Sequence, residues 1–318
     1  MHLLVLFFIP FCFGYNFNFT TNFVQEEAEI VEAAAVYVPI SKYRTSNLCE
    51  KLNPKKCFCK HEVYLKKAGE DGFNIVAYHA SQKEILYVVF SYDKNPDKLL
   101  KEYMKFDATK VMFHDAPGVF KHQIDILNKG ETYINNTLYK ICLSGEYKYI
   151  VFAGHSVAGG VASLMAYECI YKGFCDKNKT KVYTFGSPRT GNCHFAKKYD
   201  EMVPYTYRVV VKGDPLTAVP QRHCKKGYKK CNECTAKNLN YHHHFGQEIY
   251  YEKNVTGVPR HCKKFTEDRK CNLIRVPSSQ RRKQIEDAYA QHFYKKYYRN
   301  SFENLFILYG DCPFKDKN

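Results

Sequence analysis

Long apolar runs are missing beyond the first 14 residues, so no later segment reads as a membrane-spanning helix. Internal repeats and low-complexity linkers are missing too, which excludes solenoid and array architectures. No glycine-rich phosphate loop or dinucleotide fingerprint occurs, which argues against nucleotide chemistry. Tryptophan is absent, and the aromatic content rests on 27 Tyr and 23 Phe. Acidic residues are in deficit: 32 Asp and Glu stand against 48 Lys and Arg, a formal net charge of +16.

What is present begins with MHLLVLFFIPFCFG, a short apolar run that predicts a signal peptide over residues 1–14 and a secreted, extracellular protein. The remaining residues, 15–318, are expected to form one domain, a size that large α/β domains reach. Of 14 cysteines, 13 remain once Cys12 is removed. Outside the cell these predict disulfides and one odd thiol, with Cys262 and Cys271 close enough in sequence to close a small loop. Sequons at Asn18, Asn135, Asn178 and Asn254 fit a glycoprotein of the same compartment. The basic residues cluster at 222–230, 260–264, 281–283 and 294–299. In a secreted chain this favours anionic surfaces over nucleic acid, with a merely solvated face as the plain alternative.

Pattern predicts a helix at 26–38, paired strands at 72–80 and 84–92, a short amphipathic helix at 96–104 and a longer helix at 118–138. Strands follow at 149–154, 181–188 and 205–216. A cysteine-rich loop at 221–241 and a helix at 284–298 complete the reading. Apolar strands alternating with helices imply a mostly parallel sheet covered on both faces.

The stretch YKYIVFAGHSVAGGVASLMAY, residues 147–167, has the form of a nucleophile elbow. A strand ends in a sharp turn, lifts Ser156 out of the sheet and enters a helix whose first N–H groups can meet a developing oxyanion. The pattern G-x-S-x-G is altered here, because Ala158 stands at the second glycine position. An added methyl in a crowded turn costs about 1–3 kcal/mol. Asp214 follows the strand YRVVV, where a carboxylate can orient a histidine. A plain turn aspartate before Pro215 is the alternative.

The blocks YIVFAGHSVAGGVASLMA, KVYTFGSPRTGNCHFA, YRVVVKGDPLTAVP and YHHHFGQEIYY resemble, in order, those of the class 3 (fungal-type) triacylglycerol lipases. The resemblance covers about Ile75 to Cys271. It implies an α/β-hydrolase fold, lipid ester hydrolysis by a Ser–Asp–His triad at a lipid–water interface, a lid helix near residues 95–104 and no metal or cofactor. Ser156 then becomes the nucleophile and Asp214 the acid. The family's late D-H-x-x-Y motif falls on IEDAYAQHFY. The base is either His292, one helical turn along, or is lost at Ala288. The oxyanion donors become the N–H groups of Val157 and Asp93. Asp93 stands where the family has F-R-G-[ST], and its carboxylate would repel the developing charge. The His242–His244 triplet corresponds to the family's structural Y-x-H-x-G-x-E block. Cys224, Cys231 and Cys234 have irregular spacing for zinc and read better as disulfide partners. Two readings follow: a secreted lipase or esterase, or a catalytically weakened relative that binds lipid, glycan or protein.

Overall fold

The computed structural model describes residues 61–67, 73–80, 84–92, 109–144, 147–220, 234–235, 239–252, 258–264, 267–268 and 270–271. The expected signal peptide at 1–14, the expected helices at 26–38, 96–104 and 284–298, and most of the expected loop at 221–241 lie outside these residues.

The strands are β1 (His61–Lys67), β2 (Phe73–Ala80), β3 (Ile85–Tyr92), β4 (Lys110–Phe113), β5 (Ala116–Phe120) and β6 (Tyr149–His155). They continue with β7 (Thr180–Phe185), β8 (Gly191–Asn192), β9 (Thr206–Val211), β10 (His242–His243), β11 (Gln247–Tyr251) and β12 (Arg260–His261). The principal helices are α1 (Lys121–Asn128), α2 (Tyr139–Ser144), α3 (Val157–Tyr171) and α4 (Cys193–Met202). The main sheet has the order β1-β2-β3-β6-β7-β9-β11-β12. Its centre is parallel from β3 through β11, and antiparallel strands flank it on both sides. The central strands are nearly continuous apolar runs because both of their faces are covered. A second, antiparallel sheet runs β10-β8-β5-β4.

Helix α3 is apolar on nearly every side, with Val157 through Tyr167 all buried. Such a helix must be enclosed rather than merely docked. It lies against β3, β6 and β7 and is bracketed by α1 and α4. Its end is fixed by a reversal at Gly173, φ 76°, where Phe174 N–H and Cys175 N–H both donate to Cys169 O at 2.8 and 3.0 Å. The Cys169–Cys175 disulfide locks that turn.

The helix expected over 118–138 is displaced. Residues 116–120 are instead drawn into β5, where Val119 pairs with Gly191 and Phe120 N–H donates to Thr190 O at 3.0 Å. Gly118 has φ 91°, which no helix start accommodates. The helical pattern begins at Lys121, breaks at Lys129–Gly130, and resumes through Glu131–Tyr133 and a π-helical turn, Ile134–Leu138, into α2. The structure joins Cys262 to Cys271, as their spacing suggests, and Cys193 to Cys234. Cys142 is a buried free thiol, and burial pushes its pKa up to about 12.

Candidate active site

Ser156 sits between the end of β6 and the start of α3 with φ 57° and ψ −132°. A side-chain-bearing residue rarely adopts this backbone, and the surrounding structure must hold it there. Its N–H is anchored to Phe185 O at 2.8 Å on the neighbouring strand β7. The residue is only 3% exposed, and among the described residues Ser156 Oγ has no hydrogen-bond partner. Val157 opens α3, so its N–H has no acceptor within the helix.

The crowding that glycine relieves at this turn is on particular residues. A Cβ on Gly154 would lie 2.4 Å from Ala158 O and 2.8 Å from Gly159 N. One on Gly159 would meet Gly154 O at 2.9 Å, and one on Gly160 would meet Gln123 Oε1 at 2.1 Å. Ala158 itself is buried in the main apolar cluster, where its methyl packs as core. The second glycine of the pattern is therefore replaced at little structural cost.

Asp214 lies just past β9, on the same carboxyl-terminal edge of the sheet as Ser156, with β7 between them. Two strand spacings are about 10 Å, a gap that an imidazole and two short side chains can bridge. Asp214 is 3% exposed, and its Oδ1 accepts from Leu216 N–H at 3.0 Å, capping the short 3-10 turn Pro215–Ala218. Asp214 O accepts from Thr217 Oγ1 at 2.8 Å, which tightens the same turn. Of the expected site residues, Ser156, Val157 and Asp214 thus share one edge. Asp93, His292 and the alternative position Ala288 lie outside the described residues, as does the expected lid.

The block TFGSPRTGN explains itself in this setting. Gly186 turns the chain with φ 57° after β7. Asn192 caps α4 through Oδ1, which accepts from Phe195 N–H at 3.0 Å. Arg189 is buried and ion-paired with Glu267. The histidine triplet is structural. His242 and His243 form β10 against β8, and His244 Nε2 meets Thr217 O at 2.7 Å. Burial, with Arg208 and Arg189 nearby, holds the His244 ring well below the ordinary histidine range. His244 is therefore neutral and donates from Nε2. Cys234, one of the three cysteines weighed as a zinc set, is bonded to Cys193. The Arg189–Glu267 pair escaped the sequence reading. Its only signal was an acidic pair, Glu267 and Asp268, inside an otherwise basic loop.

The chain is similar to several known lipases. Residues 88–223 match the family model described as Lipase (class 3). Lipase ZK262.3 of Caenorhabditis elegans is 36% identical over 125 residues, covering 36% of this chain and 35% of that protein. Phospholipase A1 EG1, chloroplastic/mitochondrial, of Oryza sativa subsp. indica is 36% identical over 76 residues, covering 24% and 18%. The matches therefore span about a third or less of the length of these curated relatives. Lipase II from Rhizopus niveus superposes with a TM-score of 0.62 at 15% identity, covering 80% of this chain and 89% of that one. At that identity the likeness establishes the fold, which is that of the α/β-hydrolases.

Proposed function

We propose, from the match of residues 88–223 to the class 3 lipase family, that the protein belongs to that family and is a secreted carboxylic ester hydrolase acting on acylglycerols or related lipid esters. The observation that carries this reading is Ser156: a strained, buried serine at the mouth of a helix, whose hydroxyl has no hydrogen-bond partner among the described residues. Backbone strain at a serine between a strand and a helix is the setting in which a nucleophile is presented to a substrate.

In the proposed reaction Ser156 Oγ attacks the acyl carbonyl carbon while its proton passes to an imidazole, which we assign to His292. Asp214 orients that ring and stabilises its charged form. The carbonyl oxygen becomes an oxyanion facing Val157 N–H, with Asp93 N–H as the second donor. Collapse breaks the ester C–O bond, and the imidazolium protonates the leaving alcohol. Water, deprotonated by the same ring, then releases the fatty acid and restores Ser156. The excess of basic residues would favour an anionic lipid–water interface. Extracellular location is supported by the apolar leader and by disulfides at Cys169–Cys175, Cys193–Cys234 and Cys262–Cys271.

The test is turnover of a short-chain p-nitrophenyl ester and of emulsified triacylglycerol. Wild type is expected to hydrolyse at least one. Ser156→Ala should abolish turnover, and Asp214→Asn should lower kcat by roughly 10³–10⁴-fold. A folded wild type without turnover on either substrate would favour the lipid-, glycan- or protein-binding alternative.

A further inference from the structure

The turn that carries Asp214 is held by a buried network reaching far along the chain. Arg189 donates from Nε to Glu267 Oε1 at 2.9 Å and from Nη2 to Glu267 Oε2 at 2.8 Å. Its third nitrogen, Nη1, donates to Ala218 O at 2.5 Å and to Pro220 O at 2.8 Å. Its own N–H donates to Val219 O at 2.9 Å. Glu267 Oε1 also accepts from His244 N–H at 2.9 Å, while His244 Nε2 donates to Thr217 O. The carbonyls of Thr217, Ala218, Val219 and Pro220, three to six residues after Asp214, are thus each held by Arg189 or His244. Glu267 joins those two residues.

Glu267 is carried by the loop that the Cys262–Cys271 disulfide closes. Both cysteines pack with Val210 of β9, the strand that leads to Asp214, and Cys262 N–H donates to Glu248 O at 2.9 Å. The loop is therefore fastened to the strand that carries the acid as well as to the turn that follows it.

A buried ion pair is weak evidence for stability, because desolvating two charges offsets much of their attraction. Here the geometry is directed. Glu267 uses both oxygens for three donors, and Arg189 spends four side-chain N–H bonds on two targets, the loop carboxylate and the acid turn. We propose that Glu267 is a positioning residue for Asp214, acting through Arg189 and His244 to fix the turn that aims the carboxylate. Displacement of a catalytic group by about 1 Å costs on the order of 10²-fold in rate. This inference rests on the hydrolase reading, in which Asp214 orients the base.

Glu267→Gln keeps the side-chain size but removes the charge and one acceptor. The full chain with its disulfides intact is compared with wild type by ester kinetics, by the pH dependence of kcat/KM, and by hydrogen exchange of the 214–220 segment. The expected result is a kcat lower by about 10- to 100-fold, with KM within about twofold. The acidic limb of the profile should move to lower pH, because a misaimed carboxylate no longer raises the pKa of the base. Exchange should quicken in 214–220 while β6 and β7 stay protected. A merely structural role would lower the melting temperature and leave the pH profile in place. Arg189→Lys, which cannot form the fork, is read in the same way should Glu267→Gln not fold. Unchanged kcat, profile and exchange in a folded variant overturn the inference and leave the hydrolase reading standing. A folded wild type with no turnover overturns both.

Discussion

Replacing Gly154 with alanine and Ala158 with glycine separates the two glycine positions of the serine turn. The new methyl on residue 154 would lie 2.4 Å from Ala158 O and 2.5 Å from Ala158 C, both main-chain atoms in the first turn of α3. To reach even a 3.0 Å contact, that turn must retreat by roughly 0.6 Å, against a helix enclosed on nearly every side, at a cost of about 1–3 kcal/mol. The retreat carries Val157 N–H away from the oxyanion position, so turnover should fall by about 10- to 100-fold. Ala158→Gly acts differently. It removes one buried methyl, about 0.8 kcal/mol, and adds up to about 1 kcal/mol of helix propensity cost. Its melting temperature should drop by roughly 2–8 °C, with turnover near wild type. Differential scanning calorimetry and p-nitrophenyl ester kinetics on both variants measure these effects. A tenfold or greater gain in turnover for Ala158→Gly would refute the reasoning, since the methyl would then have been obstructing the site. Full activity in Gly154→Ala would refute it as well.

Two further outcomes follow from buried polar groups. Ser156→Ala removes the hydroxyl that the proposed reaction pairs with the imidazole of His292, so it should destabilise the fold by about 1 kcal/mol, seen as a lower urea midpoint at unchanged slope. A higher midpoint would show that Ser156 Oγ, which has no partner among the described residues, has none in the resting protein either. Burial raises the Asp200 carboxyl to about 7, although its Oδ1 accepts from Gly246 N–H at 2.6 Å. Its unfolded value is near 4, so between about pH 4 and 7 the folded state holds the proton that the unfolded state has lost, and stability falls as pH rises. Asp200→Asn removes that dependence. Its melting temperature relative to wild type should climb across this window and level off above pH 7, whereas a constant difference would contradict the assignment.

Much of the candidate site's local geometry was legible because it is set by short runs of residues. The elbow at 154–160, the strand before Asp214 and the hairpin of β2 and β3 each follow from a short run of residues whose pattern has one physical reading. The oxygen of Ser156 and the carboxylate of Asp214 reach the same edge because parallel strands end together, which the alternation of strands and helices already implied. The displaced helix start at Lys121 was not legible. Residues 118–120 run directly into the helical pattern that follows, and it is the pairing with the distant strand β8 and the positive φ of Gly118 that place them in a strand. Ala158 looked like an intruder because the sequence does not say on which side the turn is crowded; the contact distances place the crowding at Gly154, Gly159 and Gly160. The Arg189–Glu267 pair spans 78 residues and leaves no periodic trace. The Cys193–Cys234 bridge spans 41, and no spacing rule predicts it.

The central claim is that the Ser156 hydroxyl is an activated nucleophile served by Asp214. Its most direct measurement is the reaction of the folded, full-length protein with a fluorophosphonate, followed by intact mass and peptide mapping. One adduct per chain, carried on Ser156 and formed far more slowly in Asp214→Asn, is the predicted result. A folded wild type that takes no adduct at Ser156, or takes it at the same rate without the Asp214 carboxylate, would contradict it.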